Sequence, residues 1–211
     1  MTKKERAARA VALLKERYPA TCSLEAQKDY ELLFATRLSA QCTDARVNVV
    51  TAELYAKYPT LQSIADADVE DLCAMVKPCG LGRTKGNDIH KCARVLLEQY
   101  GGRVPDTMDE LLKLPGVGRK TANLILSDIY GQPAIVADTH CMRISNKLGL
   151  VSCGNDPLKT EMALKKIVEP AEQADLCHRL VHFGRDVCTA RSPKCEICPL
   201  AEICKTAGSR K

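Results

Sequence analysis

Two groups of residues in this 211-residue sequence could do chemistry. Cys188, Cys195, Cys198 and Cys204 fall within seventeen residues as Cys-x6-Cys-x2-Cys-x5-Cys, in a polar segment broken by Pro193 and Pro199. Such a segment cannot bury four thiols side by side, so the spacing points to metal ligation. Structural zinc sites usually present two closely spaced ligand pairs, and only one Cys-x2-Cys is present. Four cysteines from one irregular loop suit the corners of a [4Fe–4S] cube. The cofactor would then fix a loop with too little apolar content to fix itself. Arg191 and Lys194, between the first two ligands, form a basic arc that could meet nucleic-acid phosphates; two solvated side chains account for them equally well.

The second group is the run Leu114-Pro-Gly-Val-Gly-Arg-Lys-Thr-Ala-Asn123, followed by Asp138 in Ala-Asp-Thr-His140. Gly116 and Gly118 flank Val117 and let the backbone turn and approach a ligand closely. A helix opening at about Arg119 aims its first N–H groups outward, and together these features make a cradle for a phosphate. Lys120 lies in the first turn, where the positive end of the helix dipole disfavours an ammonium. An amine so placed beside a bound phosphodiester is a candidate nucleophile. Asp138 precedes an apolar-periodic stretch (Met142, Ile144, Leu148) and is expected at its N-cap, where backbone N–H groups favour the charged carboxylate. Each residue alone has an ordinary reading. In combination, amine and carboxylate suit attack on a sugar carbon.

The elements that must position these groups are helices. Apolar residues recur at helical spacing: Ala7, Val11, Leu14 and Tyr18; Val69, Leu72 and Val76; Ile89, Ala93, Leu96 and Tyr100; Ala122, Ile125 and Ile129; Leu176, Leu180 and Phe183. Asp68-x-x-Asp71 and Thr107-x-x-Glu110 read as capping boxes, and Gly80-Leu-Gly82, Gly101-Gly102 and Gly131 as stops. The fold class is all-α. Gly131-Gln-Pro133 falls between Lys120 and Asp138, so chain order suggests two helical lobes with a cleft between them.

Composition narrows the class. Aromatic content is 4%, with no Trp and two Phe, so base stacking on an aromatic platform is not expected to dominate. Net charge is +5, with six Lys/Arg against two acids in residues 1–17 and six against three in residues 185–211; a polyanion partner fits. No signal-peptide core or membrane-length apolar run occurs, which predicts a soluble, cytoplasmic protein, and nothing points beyond a monomer. A reducing compartment argues against disulfides. Cys22, Cys42, Cys73, Cys79, Cys92, Cys141, Cys153 and Cys177 are expected as small buried apolar residues.

The 114–123 run, Ala137-Asp-Thr-His-Cys-Met-Arg143 and the cysteine tail together resemble the endonuclease III family of DNA glycosylases, whose helix-hairpin-helix is the first of them. Leu38-Ser-Ala-Gln-Cys-Thr-Asp44 and Gly80-Leu-Gly82 are similar to two further family segments, so the resemblance runs from about residue 30 to 204. It implies a barrel domain over 22–132 carrying the hairpin, and an iron–sulfur domain of 1–21 plus 133–211. The implied activity is removal of oxidised pyrimidines from double-stranded DNA and cleavage at abasic sites. Lys120 would form a Schiff base at C1′, and Asp138 would activate it and steady the cationic sugar. Gln41 and Leu81 would fill the gap left by the flipped nucleotide. Gly116, Val117, Gly118, Arg119 and Arg143 would join the DNA contacts. Cys42 and Ala137 depart from the family's commoner alanine and bulky aliphatic, which bears on lesion preference. A mismatch adenine glycosylase of the same superfamily, a non-catalytic DNA-binding module and a zinc-dependent regulator are the alternatives. The lysine at 120 disfavours the first, and a catalytic pair is superfluous to the second.

Overall fold

The computed structural model describes residues 1–207; Arg210 and Lys211, counted in the basic C-terminal excess, lie outside the described residues. Among the described residues there is no strand. The α-helices are α1 (Lys3–Lys15), α2 (Asp29–Leu38), α3 (Asp44–Lys57), α4 (Leu61–Ala65), α5 (Val69–Val76), α6 (Gly82–Tyr100), α7 (Met108–Leu111), α8 (Arg119–Asp128), α9 (Thr139–Leu148), α10 (Pro157–Lys165) and α11 (Gln173–Asp186). Short 3₁₀ turns join some of them. No helix among the described residues is long and apolar enough to cross a membrane.

The chain divides into two compact units: Cys22–Tyr130, holding α2 to α8, and Met1–Thr21 with the described residues from Gly131 on, holding α1 and α9 to α11. In the Cys22–Tyr130 unit, Leu33, Phe34, Leu38, Leu54, Leu72, Ile89, Leu96 and Ile125 are buried almost completely. Each contributes about 1.5–3 kcal/mol of hydrophobic stabilisation. α5 lies close against α6 because Gly82 and Gly86 stand one turn apart. A Cβ on Gly86 would sit 2.7 Å from the Cα of Cys73, and one on Gly82 2.7 Å from the Cα of Lys77.

The other unit is closed by its two chain ends. Arg6 of α1 donates Nη1 to the carbonyls of Leu148 (3.2 Å) and Ile203 (2.6 Å). Tyr18 meets Phe183 of α11 edge-on at 5.8 Å between ring centroids. Apolar side chains of α1, α9 and α11 fill this core, among them Leu14, Ile144, Leu176, Leu180 and Phe183.

The helix signals are realised with two changes. Asp68 caps α5 through the amides of Glu70 and Asp71. The Asp71 carboxylate does not return to the cap: it pairs with Lys57 at 2.7 Å and accepts from Tyr58. Thr107 caps α7, but Glu110 answers through the Thr107 hydroxyl, at 2.8 Å. A tertiary cation and a nearby hydroxyl outcompete the cap backbone. Of the eight scattered cysteines, Cys73, Cys79, Cys92, Cys141 and Cys177 are buried, whereas Cys22, Cys42 and Cys153 are half-buried in connecting segments.

Candidate nucleic-acid interface and metal centre

The hairpin is built on α7 and α8. Leu111 and Leu114 anchor its entry in the core, and the amide of Val117 turns back to the Leu114 carbonyl at 3.2 Å. Gly116 has φ +74, and a Cβ there would meet Arg37 Nε at 2.7 Å and Asp88 Cβ at 2.9 Å. Arg37 and Asp88 pair through Nε at 2.8 Å and Nη2 at 2.7 Å, so the turn rests on an ion pair that leaves no room for a side chain. Gly118 differs: it is extended, caps α8 without a side chain, and has open space where a Cβ would be. The first intrahelical bond of α8 runs from the amide of Ala122 to Gly118; earlier amides belong to the helix end, as at any N-terminus. Lys120 is exposed there, while Arg119 and Val117 are half-buried.

Gln41 and Leu81 are the only non-glycine residues with positive φ among those described, at +58° and +53°. A left-handed conformation costs such residues about 1–2 kcal/mol, and leucine visits it rarely. Gln41 lies in the turn after α2; Leu81 stands at the start of α6 and is 60% exposed. The fold thus holds an apolar side chain and an amide outward on strained backbone.

In the other unit, Asp138 is half-buried at the N-cap of α9 and accepts the Cys141 amide at 2.7 Å. The approach to it, Ala134 to Ala137, is buried, and the Val136 amide is held by Cys177 Sγ at 3.3 Å. Arg143, one turn on, turns inward: Nη2 donates to the Cys188 carbonyl at 2.7 Å and the Gly184 carbonyl at 3.4 Å. It joins α9 to the cysteine loop. Lys194 is exposed with Asp186 at 3.9 Å, and Arg191 is exposed. Lys120 and Asp138 therefore belong to different units.

Cys188, Cys195, Cys198 and Cys204 are half-buried free thiols that line one cavity with Ile144 and Lys147. Burial pushes the Cys188 and Cys198 thiols up, with the Lys147 and Arg143 charges opposing this at Cys188. Lys147 Nζ is buried without a hydrogen-bond partner. Four facing thiols beside an unanswered buried cation fit an anionic thiolate-ligated centre, since metal binding deprotonates its thiols. Between 188 and 204 only Leu200 and Ile203 are buried, too little to hold the loop by packing. Sequence reasoning missed Lys147; the signal was its place three residues after Ile144 on an apolar helix face.

Known proteins resemble this chain in both sequence and structure. Residues 34–170 match the HhH-GPD superfamily base excision DNA repair protein family, and residues 188–204 match the iron–sulfur binding domain of endonuclease III. The chain is 41% identical to endonuclease III of Synechocystis sp., over 98% of this chain and 94% of that protein. It is 43% identical to endonuclease III of Bacillus subtilis, over 90% and 87%. A solved structure of a trapped endonuclease III–DNA covalent intermediate, an estranged-adenine complex, is 41% identical with a TM-score of 0.93, covering 100% of this chain and 99% of that one. The chain belongs to the endonuclease III family of the HhH-GPD superfamily of base excision DNA repair proteins. The all-α fold is that of the family, and the cofactor is an iron–sulfur cluster.

Proposed function

We propose that this protein is a bifunctional DNA glycosylase and abasic-site lyase that excises oxidised pyrimidines from duplex DNA in the cytoplasm, acting as a monomer. Its two compact units serve as the barrel and iron–sulfur domains. One observation carries the reading: an exposed lysine stands in the first turn of the helix behind a glycine hairpin, in a chain similar over its whole length to a protein trapped covalently on DNA. Gly116, Val117, Gly118 and Arg119 would present backbone and charge to one phosphate, and Arg191 and Lys194 to others. Arg143, bonded inward to two carbonyls, acts by holding the cysteine loop.

In the chemistry this assigns, the Lys120 amine attacks C1′ of the flipped nucleotide and the C1′–N bond breaks, the base leaving with its electron pair. The sugar ring then opens, giving an imine between Nζ and C1′. Loss of a C2′ proton expels the 3′ phosphate, and water releases the lysine. The Asp138 carboxylate takes up a proton and offsets positive charge on the sugar. Cys188, Cys195, Cys198 and Cys204 would hold the cluster, which supplies a rigid cross-link for the loop.

Borohydride added during turnover should reduce the imine and leave a DNA adduct on the peptide containing residue 120. Lys120→Gln should bind duplex DNA yet give no adduct. An adduct on another residue, or base release with no adduct at all, refutes the assignment.

A further inference from the structure

Lys85 is 0% exposed. Its ammonium donates to three main-chain carbonyls: Leu38 at 2.9 Å, Ala40 at 2.7 Å and Cys79 at 2.8 Å. No acidic side chain meets it in these bonds; three carbonyl dipoles replace its hydration, using all three donors of the group. A buried charge without its partners is expensive, so the arrangement must be kept whole. The carbonyls are not scattered. Ala40 immediately precedes Gln41 and Leu38 lies three residues before it, while Cys79 comes two residues before Leu81. One cation thus binds the backbone leading into both strained turns. The Cys42 thiol is also a neighbour of the Cys79 thiol, so the same two segments lie side by side here. Lys85 reaches this place from the apolar stripe of α6, in register with Ile89, Cys92 and Leu96.

We propose that Lys85 is a positioning residue for DNA: by joining these carbonyls it holds the Gln41 and Leu81 turns at one fixed spacing, so that both side chains enter the duplex together when a nucleotide is flipped. The inference rests on the reading of Gln41 and Leu81 as gap-filling residues. Strained turns of this kind persist only where surrounding structure fixes them. Releasing one end lets each turn relax towards ordinary backbone, and a shift of about 1 Å can cost on the order of a hundredfold in rate.

The test uses the full chain with its cluster bound and two substrates. One is a duplex with a single thymine glycol and 2-aminopurine in the opposite strand; the other is a single-stranded oligonucleotide with an abasic site, which has no partner base to hold apart. Lys85→Met should lower base release from the duplex roughly tenfold or more beyond any loss of nicking on the single strand. It should also diminish the 2-aminopurine fluorescence rise on binding. If Lys85→Met does not keep the native melting transition, Lys85→Gln, which retains amide donors, replaces it and should show the same substrate contrast in weaker form. Equal losses on both substrates, or duplex release at the wild-type rate, overturn the proposal. Leu81→Ala and Gln41→Ala separate the two layers. If both release base from the duplex like the wild type, the gap-filling reading fails and this inference with it. If they are slow while the Lys85 variant is not, only the role of Lys85 falls.

Discussion

Gly116→Ala isolates what the hairpin glycine does for the fold. The new Cβ would stand at φ +74, with Arg37 Nε 2.7 Å, Arg37 Cδ 2.9 Å and Asp88 Cβ 2.9 Å away. Alanine in the left-handed region costs about 1–2 kcal/mol. Relieving the contact requires Arg37 to move off Asp88, and hydrogen bonds to charged groups are worth about 1.5–3 kcal/mol. With that pair partly given up, the total is about 2–4 kcal/mol, which lowers Tm by roughly 4–16 °C for a protein of this size. Gly118→Ala is the matched control. Its φ is −102° and the space around it is open, so a small entropic gain and a poorer cap nearly cancel, within about 0.5 kcal/mol. The same open face is where a phosphate would approach, so this second variant should bind duplex DNA more weakly despite its normal melting. Scanning calorimetry of the cluster-bound proteins and fluorescence anisotropy on duplex DNA at two salt concentrations measure both. Equal Tm values for Gly116→Ala and wild type would refute the packing argument; salt-independent affinity would refute the phosphate cradle.

Three further outcomes are expected. Asp138→Asn keeps an acceptor for the Cys141 amide and should melt within about 0.5 kcal/mol of wild type, while Asp138→Ala loses about 1 kcal/mol; both should lose base release, and an active Asn variant would limit Asp138 to capping. Lys147→Met removes the cation that faces the cysteines, and iron should be lost faster under ferricyanide, read as decay of visible absorbance; unchanged decay would show that the cluster does not draw on this charge. Burial pushes the Cys92 thiol from its usual value of 9.0 up to about 12. Between those values the folded thiol keeps a proton that the unfolded one has lost, so this contribution is intact below pH 9 and drains away towards 12. Denaturant unfolding at stepped alkaline pH should show the decline, and Cys92→Ala should flatten it; an equally steep decline in that variant assigns the effect elsewhere.

The helices and the turn geometry were unequally legible in the sequence. Periodicity marks the face of α6 because burial of Ile89, Ala93 and Leu96 decides that helix. Gly101 marks its end because the C-cap has φ +60. The half-answered caps of α5 and α7 were not legible, since Asp71 is drawn off by Lys57 and Tyr58, which come from elsewhere in the chain. Nor were the left-handed backbones of Gln41 and Leu81, because local residue type predicts the opposite and the strain is held by tertiary bonds. Arg143 could have faced solvent or protein on sequence grounds; the carbonyls that receive it lie more than forty residues away. Lys85 went unread: its place four residues before Ile89 was the cue, but the carbonyls it meets at Leu38 and Ala40 come from a distant segment.

The Arg6 clamp has a consequence for how the molecule is made. The helix carrying Arg6 leaves the ribosome long before its acceptors at Leu148 and Ile203. The interposed stretch from Cys22 to Tyr130 can condense during translation, as contiguous segments do, while the leading helix waits without its partners. Completion of the other unit therefore waits for Ile203, so the segment that matches the iron–sulfur binding domain is the same one that finally secures α1.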